Sequence, residues 1–168
     1  PLKTKRSVIM KNVGKILVMA LAVLASTPVW AKDASGSPIV KGGNFGIGLV
    51  LGAPGDWGVS GKAWLTKSSA IQAALNLDDG TVLQADYLWH YYGLVHPSRG
   101  LWPVYIGVGG AIALEGDGAI APRMPVGMDY IFEQVPVDIF VEVAPYLWFF
   151  DGGSDFKIKG ALGARYFF

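Results

Sequence analysis

Cysteine is absent from this chain of 168 residues, which excludes disulfide stapling and thiol catalysis. Long apolar runs are missing too. After Ala31, every hydrophobic stretch is interrupted by Gly, Pro or a charge, well short of the roughly 20 residues that a membrane-spanning helix needs. There is no low-complexity tract, and no helix-length interval separates the strand-like segments described below. Yet 52% of the residues are hydrophobic. A secreted chain of that kind must bury its apolar surface internally or present it to lipid as a closed barrel, because only such a barrel satisfies its backbone without a helix.

The N-terminal region supplies the secretion signal. Met10 reads as a start, residues 10–15 form a basic segment, and residues 16–25 form an apolar segment too short to span a bilayer. Val29-Trp30-Ala31 then fits the small-x-small rule for cleavage. The expected organisation is 1–31 as upstream extension and cleaved signal peptide, 32–43 as a flexible Ser/Gly-containing periplasmic lead-in, and 44–168 as the folded domain. Removal of 1–31 takes five of the 14 Lys and Arg and none of the 13 Asp and Glu, leaving 9 − 13 = −4. That balance argues against a nucleic-acid partner.

What is present is alternation. Eight segments with period-two patterning fall near 44–53, 57–66, 69–78, 81–92, 102–114, 119–132, 136–149 and 156–168. Turn residues such as Pro54-Gly55-Asp56, Asp79-Gly80 and Gly116-Asp117-Gly118 separate them. Short, even spacing predicts an all-β fold, an eight-stranded antiparallel up-and-down transmembrane β-barrel. One parity is almost purely apolar, as in Phe45, Ile47, Leu49 and Leu51 or Val137, Ile139, Val141 and Val143. The other carries a lumen charge network of Lys62, Asp86, His90, Glu115, Arg123, Asp129, Asp138, Glu142, Lys157, Lys159 and Arg165. Its five cations and five anions balance, as a narrow interior requires when unpaired buried charges cost several kcal/mol. A soluble ligand barrel would place the apolar parity inside, but eight strands enclose too little space for it.

Aromatic residues reinforce the assignment. With both termini on the periplasmic side, Phe45, Trp89, Tyr91, Trp102, Tyr130, Phe132, Tyr166 and Phe168 gather at one end of the apolar face. Trp57, Phe149 and Phe156 gather at the other. Two such belts mark the membrane interfaces of a barrel. Pro125 lies inside the sixth segment of a wall with no free edge. It predicts a bulge there, one able to reverse the parity around Arg123.

From Asp86 onward the residues resemble an uncharacterised family of small eight-stranded outer-membrane barrels from Gram-negative-type bacteria. The carriers are Asp86-Tyr87-Leu88-Trp89-His90, the segments 103–110, 125–132 and 137–145, and Gly163-Ala164-Arg165-Tyr166-Phe167-Phe168. The terminal Phe168, with Tyr166, Ala164 and Leu162 at every second position before it, is similar to the recognition signal of bacterial outer-membrane barrels. That resemblance implies outer-membrane lipid and the barrel assembly machinery as partners. It implies no catalytic residue and no cofactor or metal. The leading expectation is a non-enzymatic structural or interaction barrel. A second reading rests on His96 and Ser98, a pair resembling the His-x-Ser of outer-membrane lipid A deacylases, with Glu115 as the third member. Along the strand Glu115 would be about 35–40 Å from that pair at roughly 3.4 Å per residue. A narrow channel through the charged lumen is the third.

Overall fold

The computed structural model describes residues 39–52, 56–77, 80–95, 99–115 and 118–168. Alternation in the sequence becomes alternation in exposure. In β1 (Phe45–Gly52) the side chains of Phe45, Ile47, Leu49 and Leu51 are exposed, while Val50 is buried. The same rhythm continues through β2 (Trp57–Trp64), β3 (Ser69–Asn76), β4 (Val82–Tyr91) and β5 (Val104–Ala113). It is completed by β6 (Ile120–Arg123), β7 (Val126–Ile131), β8 (Val137–Phe150) and β9 (Gly153–Phe167). Tight turns join neighbours. Asp151-Gly152 links β8 to β9, with Gly152 at φ 103°, the left-handed geometry that two-residue hairpin loops require.

All pairings are antiparallel, and β9 returns to β1, closing the ring. Nine strands occupy eight positions, since β6 and β7 lie end to end between β5 and β8. The interruption is at Met124-Pro125, where a bulge was expected. None forms. Gly109↔Arg123 and Ile106↔Val126 keep one offset against β5, and Arg123↔Tyr146 and Val126↔Val143 keep one offset against β8. Pro125 removes a single N–H, while its carbonyl still accepts from Gly107 N at 2.7 Å. One missing donor breaks the ladder locally without adding a residue, so Arg123 keeps its inward parity and is buried.

The registers define the barrel. Perpendicular neighbours run from Gly46 through Lys62, Gln72, Asp86, Gly109, Arg123, Tyr146 and Lys157. Continuing the β9–β1 offset from Lys157 reaches position 56, ten residues beyond the start (56 − 46). A stagger of that size in an eight-position ring tilts strands by roughly 35–45° and leaves an interior that side chains fill. Near the C-terminus it is closed by Val40, Trp64, Ala70, Ile131 and Phe167. Val40 belongs to the region expected to be a flexible lead-in, yet it is fully buried. Its turn passes so close to the C-terminus that a Cβ on Gly43 (φ 155°) would collide with the Phe168 carbonyl. Residues 32–38 and 1–31, with the expected signal peptide, lie outside the described residues.

Candidate functional site: the charged lumen

Eight of the expected charged residues meet inside the barrel: Lys62, Asp86, His90, Arg123, Asp129, Asp138, Glu142 and Arg165, each at most 3% exposed. They come from six strands, brought together by the perpendicular registers. Asp138 and Arg165 are direct cross-strand partners on β8 and β9. Arg165 Nε donates to Asp138 Oδ1 at 3.0 Å, its Nη2 to Asp129 Oδ1 at 3.1 Å and its Nη1 to Gln72 Oε1 at 2.6 Å. Its guanidinium lies 4.0 Å from the Phe140 ring centre. The planar fork of arginine suits such multiple donation.

On the other side of Asp129 sits Lys62, paired with Asp129 Oδ2 and 2.9 Å from His90 Nε2. His90 Nε2 also lies 3.2 Å from Asp129 Oδ2, so Lys62, His90 and Asp129 converge on one point. Trp64 and Tyr105 enclose this group: Lys62 Nζ is 4.5 Å and 5.3 Å from their ring centres. A second group lies above it. Arg123 pairs with Glu142 and lies 3.3 Å from Asp86 Oδ1. Gln72 joins the two groups, donating to Glu142 Oε2 at 2.9 Å while accepting from Arg165. Tyr105 Oη also donates to Glu142 Oε2, at 2.9 Å.

Small residues make the room. Tyr105 faces Gly127 and Asp86 faces Gly109 across the sheet. A Cβ on Gly127 would strike the Tyr105 ring, and one on Gly109 the Asp86 carboxylate. Toward the end away from Val40 and Phe168, Tyr146 Oη donates to Gln84 Oε1 at 2.9 Å, and Ala111, Ala121 and Ala144 pack with Tyr146. A cavity of about 20 Å³ remains there, lined in part by Asn76, Gln84, Glu142 and Tyr146. That is room for about one water. Among the described residues no group of three or more His, Asp or Glu is placed to hold a metal ion.

Three residues of the expected network do not join it. Glu115 lies beyond the end of β5, where Oε1 accepts from Thr81 N and Oγ1 at 3.2 and 2.8 Å. Lys157 is exposed and, among the described residues, pairs with Asp155 at 3.3 Å. Lys159 sits at the rim, 2.8 Å from Asp56. Parity assigns each a face, but height along the strand puts all three above the filled lumen. Conversely, the neutral hubs Gln72 and Tyr105 were not counted in the network, because only formal charge distinguished its members in the sequence. His96 and Ser98 lie outside the described residues.

The aromatic belts stand on the outer face. At the end holding Val40 and Phe168, Phe45, Trp89, Tyr91, Tyr166 and Phe168 are exposed, and Trp102, Tyr130 and Phe132 stack in an edge-to-face row at 5.4 and 4.5 Å. Trp57, Phe149 and Phe156 are exposed at the opposite end. Leu162, Ala164, Tyr166 and Phe168 of the terminal motif all point outward, and Phe168 N bonds Phe45 O at 2.9 Å.

No protein-family model matches this chain, and no curated protein does. Among solved structures it is similar to the N-terminal β-barrel domain of Pseudomonas aeruginosa OprF, with a TM-score of 0.53 and 16% identity. The match covers 73% of this chain and 96% of that one. At that identity the likeness is one of fold alone: a closed antiparallel β-barrel.

Proposed function

We propose that this barrel is a small outer-membrane protein with a structural or interaction role, non-enzymatic and without an open pore. One observation carries the reading: the molecule is inside out. Leu49 is 64% exposed and Ile158 65%, while Lys62, Asp129 and Arg165 are at most 1% exposed. In water such a surface drives association; in lipid it is the stabilising arrangement. Outer-membrane lipid is then the partner around the belts. The outward row Leu162, Ala164, Tyr166 and Phe168 would be read by the barrel assembly machinery during insertion. The paired charges and the Gln72 and Tyr105 hubs supply rigidity across the lumen and leave solutes little passage.

The test is heat-modifiable migration on SDS gels of protein refolded into detergent or outer-membrane lipid. A mobility difference between boiled and unboiled samples, with β-type circular dichroism, is expected. Unchanged migration, with the protein soluble in plain buffer, would show the apolar face to be buried and would end the membrane reading.

A further inference from the structure

Prolines are unevenly placed in the wall. Facing residues of antiparallel strands exchange two N–H···O=C bonds at every second position, and a proline leaves such a pair with one. Gly107 N bonds Pro125 O at 2.7 Å, and Asp129 N bonds Pro103 O at 3.0 Å. In both pairs the return bond from proline is missing, and both lie on the seam between β7 and β5 with the residues just before β5. On the other flank, the offset of Ile120↔Phe149 and Arg123↔Tyr146 sets Pro122 against Leu147 and Met124 against Pro145. Even-numbered residues of this stave exchange their bonds with β8, as Phe132 N does with Val137 O. Pro122 and Pro145 therefore each withhold a donor there, and Met124 N reaches Pro145 O only at 3.4 Å. Strands β1 to β4 contain no proline. Among the described residues, the one other proline of the wall is Pro136, at the foot of β8 and facing β9.

In hydrocarbon, no water replaces a missing ladder bond. The stave formed by residues 120–131 is thus thinly held on both flanks by its backbone. What holds it instead reaches across the lumen. Arg123 of β6 pairs with Glu142 of β8 and lies 3.3 Å from Asp86 of β4. Asp129 of β7 pairs with Lys62 of β2 and accepts from Arg165 of β9 at 3.1 Å. All six side chains belong to residues at most 3% exposed. Two ionic side chains therefore tie this stave to four other strands. Segments with few backbone bonds are the ones that open locally while a fold stays otherwise intact.

We infer that residues 120–131 form a lateral gate, a stave that loosens from β5 and β8 as a unit while the rest of the ring stays paired. Arg123 and Asp129 are the pins that hold it shut, and opening admits water to Asp86, Arg123 and Glu142. The inference goes beyond the structural-or-interaction reading by giving the closed barrel one moving part. The test is amide hydrogen exchange, resolved by residue, on the full barrel refolded in zwitterionic micelles and checked by heat-modifiable migration. Two variants accompany the wild type. Pro122→Val/Pro145→Val returns two N–H donors to the β8 seam, at positions of outward parity that suit a β-branched side chain. Arg123→Met removes one pin. In the wild type, amides of 120–131 should exchange at least tenfold faster than those of β2 and β3. The proline replacements should slow them at least tenfold and leave β2 and β3 unchanged, while Arg123→Met should speed 120–131 selectively. With the mobility shift present, uniform exchange around the wild-type ring overturns the gate alone. So does fast exchange in 120–131 that the proline replacements do not slow, or an Arg123→Met effect spread evenly over all strands. If Arg123→Met does not fold, the proline variant decides by itself. A missing shift in the wild type overturns the barrel reading and the gate with it.

Discussion

Replacing Arg165 by Met is the sharpest perturbation of the lumen. Methionine retains an unbranched chain of similar length, so packing over Phe140 changes little while the charge is lost. Asp138 then loses its donor: among the described residues Arg165 Nε is the one hydrogen-bond partner of its side chain, and Oδ2 has none. Asp129 keeps Lys62, and Gln72 loses a donor at Oε1. Breaking one side of a fully buried pair costs about 3–5 kcal/mol, chiefly through the uncompensated charge left behind. The double variant Arg165→Met/Asp138→Leu removes both charges of a direct cross-strand pair. Its cost should fall below about 2 kcal/mol, since exchanging a buried pair for apolar residues is often neutral or better. Urea unfolding in lipid vesicles, followed by tryptophan fluorescence, gives both values. A single-variant cost under about 1 kcal/mol, or a double variant no better than the single, would mean that water reaches these charges and the lumen is not a sealed network.

Other consequences are cheaper to test. Gly127→Ala should push Tyr105 off Glu142 and cost about 1–3 kcal/mol by overpacking, whereas Gly61→Ala, with no atom nearer than 3.8 Å to the added Cβ, should be tolerated in the same assay. Lys159→Ala removes a rim pair whose side chains are 32% and 19% exposed; its cost should stay below about 1 kcal/mol, in contrast to Arg165. Leu49→Arg should destabilise the barrel in vesicles by up to about 2–4 kcal/mol if residue 49 meets the bilayer interior. An effect near zero would show that position facing water.

Much of this architecture was legible because a strand needs only a period of two to declare its faces. The eight wall positions, both belts and eight of the lumen charges followed from parity. Height did not. Parity cannot say where along a tilted strand the lumen ends, and Glu115, Lys157 and Lys159 were drawn into the network for that reason. Their place became visible only when the ten-residue stagger fixed which residues share a level. Pro125 misled in a different way. A proline in a closed wall suggested a bulge, but the register on both sides absorbs one missing N–H. Gln72 and Tyr105 carried no distinguishing signal, because nothing local marks a neutral residue that will bridge two charged groups.

The most direct test of the central claim is a cysteine scan along β9, in a chain whose sequence contains no cysteine of its own. Single cysteines at residues 160–166, each carrying a fluorophore, are reconstituted in vesicles and exposed to lipid-borne or aqueous quenchers. The account predicts strong lipid quenching at Leu162 and Ala164 and weak quenching at Ala161 and Gly163, a period of two that locates bilayer on one face. Uniform quenching by the aqueous reagent, or lipid quenching without alternation, would contradict it.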